Sequence, residues 1–105
     1  YEDCIKCVLK VSKILNENKL FEQSESLLKG LFDSLLKFAH VLYTNDSGYE
    51  YVYEGFHNYV SILAINSKYL EICKSCDLLI KSLNGFIKRE EDLFMYYYFF
   101  TVSVL

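Results

Sequence analysis

The chain has 105 residues and a formal net charge of −3, and 52% of its residues are hydrophobic and 17% aromatic. That supply of apolar side chains is far above what disordered segments carry, so the chain is expected to fold, and its length suits a single helical domain spanning residues 1–105. Its basic residues are scattered, with only Lys88-Arg89 adjacent, which argues against the basic stripe that phosphate backbones need and so against a nucleic-acid partner.

The first periodic segment covers residues 3–16. Cys4, Val8, Val11 and Leu15 recur on one helical face, and Lys6, Lys10 and Lys13 share another, solvated one. Asn16-Glu17-Asn18-Lys19 ends it. Residues 20–43 form the second helix, with Phe21, Ser24, Leu28, Leu31, Leu35, Phe38, Ala39 and Leu42 at helical spacing and Leu20, Leu27, Phe32 and Leu36 widening the stripe. A helix apolar over so much of its circumference has to be covered on more than one side. Gly30 inside it is costly in a helix, so it marks a close crossing or a bend.

Asn45-Asp46-Ser47-Gly48 is the strongest break in the chain. Ser47 with Glu50 forms a capping box that opens the third helix, and Asn45-Asp46-Ser47 matches a glycosylation pattern short enough to arise by chance, which would matter only in a secretory context that nothing else in the sequence supports. The third helix runs through Ile65 and the fourth over residues 68–83. Asn84-Gly85 closes the fourth, and Glu90, Glu91 and Asp92 open a fifth. Residues 49–54 and 96–104 also have strand-like composition, but the three-and-four spacing that follows or precedes them favours helix. No proline interrupts any segment. The expected fold is therefore all-α: antiparallel helical hairpins, either solenoid-like or a compact bundle of four to five helices. The chain begins at Tyr1 and ends within an apolar run, which reads as a fragment of a longer chain. Residues 93–105 carry no charge, yet thirteen residues fall short of the roughly 20 that span a bilayer. They read as a buried helix, with the start of a truncated membrane segment as the other possibility.

The four cysteines form two pairs, Cys4/Cys7 and Cys73/Cys76. Two such pairs could supply a four-thiolate zinc site, with His40 and His57 as spare ligands. Both pairs, however, lie inside helical patterns without nearby glycine, and three of the thiols fall on or beside apolar stripes. The favoured reading is reduced, metal-free thiols acting as small core residues, in an intracellular, cytoplasmic compartment. No phosphate-binding glycine loop or serine nucleophile motif is present, the two histidines have no partner spacing, and Glu22, Glu25 and Asp33 read as a solvated face. No enzyme activity and no cofactor are expected.

Phe56, Tyr59, Leu63, Tyr69, Ile72, Cys76 and Leu79 follow a helix-pair spacing that resembles tetratricopeptide-like repeats. Val8, Val11, Leu15, Phe21, Ser24, Leu28 and Leu31 echo it, with Ser12 where that family favours a small residue, and Phe94, Tyr97 and Thr101 could open a third unit. From Phe21 to Tyr69 the spacing is 48 residues against the family's roughly 34, so the looser class of helical-hairpin solenoid describes the chain better. The resemblance implies a scaffold whose first helices grip a peptide or helix of a partner protein. The projecting residues would be Lys6, Leu9, Lys13 and Asn16, then Glu54, His57 and Ser61, then Asp92, Met95 and Phe99. Phe99 or Phe100 is further expected at an interface, with self-association as a consequence. The alternative function is a metal-binding or redox-active helical protein using the two Cys-x-x-Cys pairs.

Overall fold

A computed structural model describes residues 2–43 and 48–83. They form four helices: α1 (Glu2–Glu17), α2 (Phe21–Tyr43), α3 (Gly48–Ile65) and α4 (Tyr69–Leu83). Residues 49–54 are thus helical, and the alternation of tyrosines there yields to the longer helical period. The fifth helix, the Asn84-Gly85 stop and the Ser47 cap lie outside the described residues.

The connections α1–α2 and α3–α4 are the same motif, 48 residues apart. In the first, the Leu20 amide donates to the Leu15 carbonyl at 2.9 Å and Lys19 to Asn16 at 3.0 Å; in the second, Lys68 donates to Leu63 at 2.8 Å and Ser67 to Ala64 at 3.1 Å. These paired bonds are a Schellman closure, which requires a left-handed residue just past the helix. Lys19 and Ser67 occupy that position with φ of 60° and 58°. The next helix starts at once, because the Leu20 and Lys68 carbonyls accept its first amide bonds from Ser24 and Ile72. Side chains with a Cβ are strained in the left-handed region. Lys19→Gly and Ser67→Gly are therefore each expected to raise stability by roughly 0.5–1 kcal/mol, after allowing for glycine's greater freedom when unfolded; urea midpoints check this.

The core lies between α2 and α3. Leu28, Leu31, Phe32 and Leu35 of α2 meet Val52, Phe56, Tyr59, Val60, Ile62 and Leu63 of α3, and α4 adds Ile72, Cys76 and Leu79. The Phe32 ring stacks on Tyr59 at 5.0 Å and tilts against Phe56 at 6.0 Å. Burial pushes the Tyr59 phenol above its ordinary value of 10.0, partly offset by its hydrogen bond with buried Ser75. Each helix packs on its successor, α1 also touches α3, and α2 touches α4. Among the described residues α1 and α4 do not meet, so the four helices do not close into a ring. The Cα extents of 38 × 35 × 19 Å are those of a slab about two helices thick.

Two expectations about α1 and α2 need correction. The buried line of α1 passes through Ile5 and Ser12, with Val8, Leu9, Leu15 and Asn16 half-buried, while Cys4 and Val11 are exposed. The helix is turned relative to the Cys4–Val8–Val11–Leu15 face so that Ser12 faces α2. Ser12 Oγ and Ser24 Oγ are both buried and share a hydrogen bond at 3.1 Å. Gly30 makes no close crossing, since nothing lies within 4 Å of where its Cβ would project. The crossing glycine is Gly55, whose Cβ would meet Leu35 Cδ1.

Candidate functional site

The residues that the helix pattern places on a partner-binding face divide into three groups. Lys6 and Lys13 of α1 are exposed, as are Glu54, His57 and Ser61, which follow one another along one face of α3. Lys6 Nζ lies 5.8 Å from the centre of the Tyr51 ring, a cation–π contact joining α1 to α3. The His57 ring stacks on Tyr53 at 6.0 Å, and Ser61 Oγ donates to the His57 carbonyl at 2.8 Å. Leu9, by contrast, packs half-buried against the core. It completes the α1 stripe beside Ser12 and so is a packing residue, not a projecting one. Asn16 is also half-buried, with its Oδ1 enclosed and without a hydrogen-bond partner among the described residues. Asp92, Met95, Phe99 and Phe100 lie outside the described residues.

The cysteine expectation fails at two positions. Cys4 and Cys7 are exposed and Cys73 is half-buried, and only Cys76 is in the core. Turning α1 onto its Ile5–Ser12 line is what puts Cys4 and Cys7 outside. Because the two pairs sit on α1 and α4, which do not touch, they are not brought together as one four-thiolate centre. Among the described residues no group of three or more His, Cys, Asp or Glu side chains is placed to hold a metal ion, and no helix is long and apolar enough to cross a membrane. With a thiol reagent, Cys4 and Cys7 are expected to react first and Cys73 more slowly, while Cys76 waits for global unfolding; mass mapping of the labelled sites checks the order.

Glu25 is not part of a solvated face. Its carboxylate accepts from Asn66 Nδ2 at 2.9 Å and from Lys68 Nζ at 2.6 Å, and Asn66 Nδ2 also reaches the Phe21 carbonyl at 3.4 Å. The start of α2 is thereby fastened to the turn of the second hairpin. Burial alone would raise the Glu25 pKa, but the Lys68 and Asn66 hydrogen bonds, with the charges of Lys68 and Lys29, outweigh it and hold the group below its ordinary 4.5. A carboxylate held low contributes stability above its unfolded value and loses it as the pH falls through the folded value. Because the Lys68 side chain is half exposed, Glu25→Gln is expected to cost only about 1 kcal/mol at pH 7. The difference should fade progressively below pH 4.5 in urea titrations.

An apolar hollow among the described residues was not anticipated from the sequence. It is a groove of about 380 Å³ between the N-terminal half of α1 and the C-terminal half of α2, lined by Cys4, Ile5, Val8, Leu27, Gly30, Leu31, Ser34, Leu35 and Phe38. The hairpin is tight near its turn, where the Ser12–Ser24 pair sits, and the groove occupies the other end. A signal for it existed. The apolar circumference of α2 exceeds what α3 covers, and Gly30 lies on the uncovered side. A second hollow of about 520 Å³ opens beside the Glu25–Lys68 pair, with Tyr69, Leu70 and Glu71 of α4 among its walls. It carries carboxylates and ammonium groups together and selects for neither sign of charge. The apolar groove is the better candidate, because a partner's apolar side chains gain most against a concave apolar wall. No protein-family model, curated protein or solved structure gives a match to this chain.

Proposed function

We propose that the protein is a non-enzymatic interaction scaffold, built of hairpin repeats of the tetratricopeptide-like kind, that binds a helix or peptide of a partner protein. The observation that carries this reading is the apolar groove between α1 and α2, whose wall of residues at three- and four-residue spacing suits a ligand helix presenting its own apolar stripe. The identical hairpin turns 48 residues apart, and the serial packing in which α1 and α4 stay separate, favour an open array over a closed bundle. The displaced pKa values also have structural explanations. Glu25 and Lys68 fasten two hairpins together, and Tyr59 is a core ring bonded to Ser75. None requires a catalytic role. Lys6, Lys13, Glu54, His57 and Ser61 supply a polar surface flanking α1 on the side of α3.

The test is a titration of isotope-labelled protein with a designed amphipathic helix carrying leucines at i, i+3, i+4 and i+7. Amide shifts should concentrate at Cys4, Val8, Leu27, Gly30 and Ser34, and should disappear in Gly30→Phe, whose side chain fills the groove. Shifts spread evenly over the surface, or unchanged in Gly30→Phe, would refute the assignment.

A further inference from the structure

The two Cys-x-x-Cys pairs are alike in the sequence, and the fold makes them different. Cys76 is fully enclosed in the core and Cys73 is half-buried, so the pair on α4 has no common access to solvent. Cys4 and Cys7 are both exposed, on the first two turns of α1. Residues three apart in a helix are surface neighbours, with Cβ atoms about 5–6 Å from each other. Lys6, between them in sequence, is directed instead toward α3, where its ammonium lies over the Tyr51 ring. Val11 continues the face of the pair one turn beyond Cys7 and is also exposed, an apolar neighbour that does not compete for a ligand.

That spacing discriminates among the things two thiols can do. A disulfide needs Cβ atoms about 3.5–4.5 Å apart, closer than a regular helical turn sets them, so closing one would distort α1. A structural zinc centre needs four ligands, and among the described residues no group of three or more His, Cys, Asp or Glu is placed to hold a metal. A two-coordinate ion needs neither. Two metal–sulfur bonds in line, each about 2.3 Å by the zinc–thiolate standard, span about 4.6 Å, which sulfurs on adjacent turns of a helix reach without moving the backbone. Monovalent copper is a soft ion that thiolates select, and two sulfurs suffice for it. Cys4 also lies in the first turn of α1, where the helix dipole favours the negative charge that a thiolate pair carries.

We propose that Cys4 and Cys7 form a two-coordinate site for monovalent copper on the exposed face of α1. Both S–H protons leave to solvent, each sulfur donates a lone pair to the ion, and the bis-thiolate complex carries one net negative charge. No electron is transferred. Copper held in this way staples the first two turns of α1 in their helical form. The site does not depend on the apolar groove being a peptide-binding site, so each of the two readings stands or falls alone.

An anaerobic titration of the full, reduced chain with Cu(I), supplied as its acetonitrile complex, tests it. The readouts are thiolate-to-copper absorption in the ultraviolet and maleimide labelling with mass mapping. One copper should bind per chain, Cys4 and Cys7 should lose their reactivity together, and Cys73 should keep its own. Cys4→Ser and Cys7→Ser should each weaken binding about a hundredfold or more, because one arm of a chelating pair is gone. Both positions are exposed, so neither change disturbs the core. Cys73→Ser should leave binding unchanged. Cys7→Ser/Lys6→Cys keeps two exposed thiols but sets them two residues apart, where helical side chains do not face each other; it should bind no better than Cys7→Ser. Zinc at the same concentration should protect neither thiol. The proposal is overturned by one copper per two chains, by binding that survives Cys4→Ser or is lost in Cys73→Ser, by equal binding in the Lys6→Cys variant, or by zinc protection as strong as that of copper.

Discussion

Phe56→Ala is expected to lower the unfolding free energy by about 3–5 kcal/mol, the range for emptying a fully buried aromatic site. Phe56 is completely enclosed, with Phe32 tilted against it and Phe32 in turn stacked on Tyr59. Removing the ring opens a void whose walls cannot easily move inward, because α2 and α3 are already held close by the absence of a side chain at Gly55. Collapse is what would reduce the cost, and here the backbones prevent it. Tyr69→Ala makes the control. Tyr69 belongs to the same helix-pair spacing in the sequence but is 55% exposed at the start of α4, so its replacement should change stability by no more than about 0.5 kcal/mol. Urea unfolding of both variants gives the comparison. Equal losses would mean that the core does not lie between α2 and α3.

Phe56 and Tyr69 also mark how far the sequence could be read. Helix positions were legible to within about a residue, because the three-and-four spacing is continuous and Asn16-Glu17-Asn18-Lys19 and Asn66-Ser67-Lys68 interrupt it. Which residue of a stripe faces the core was less legible. A stripe fixes a face only to within one residue, and one residue is about 100° of rotation. In α1 that rotation exchanged Cys4 and Val11 for Ile5 and Ser12, and two thiols expected inside came to lie outside. With it comes the buried Ser12–Ser24 bond, a long-range pairing of two residues that looked like ordinary polar positions. At the equivalent places 48 residues on, hairpin two has buried Val60 and Ile72, so the pairing follows no rule that one hairpin could teach about the other. Glu25 is a similar case. Nothing local distinguishes it from Glu22, and only the fold brings Asn66 and Lys68 to it. The groove was half legible. Excess apolar circumference on α2 says that something must cover it, but not that α1 would leave part of it open.

The two helical glycines should respond to alanine with opposite signs. At Gly30 the gain is local. Alanine is better than glycine in a helix interior by about 1 kcal/mol, and nothing lies within 4 Å of the added carbon. Gly30→Ala should therefore raise stability by most of that amount. At Gly55 the same propensity gain is opposed by contact with Leu35 Cδ1, a methyl of a residue that is itself buried, with Leu31 Cδ2 at 3.6 Å behind it. Leu35 can yield only by swinging toward the groove or by forcing α2 and α3 apart, and overpacking of this kind costs roughly 1–3 kcal/mol. Gly55→Ala should come out destabilising by about 1 kcal/mol, and Gly55→Leu, with three more carbons to place, by several times that. If Leu35 does swing into the groove, Gly55→Ala should also weaken binding of the designed helix there. Gly55→Ala more stable than the parent would show that the Leu35 methyl swings aside at little cost and that Gly55 does not limit the approach of α2 and α3.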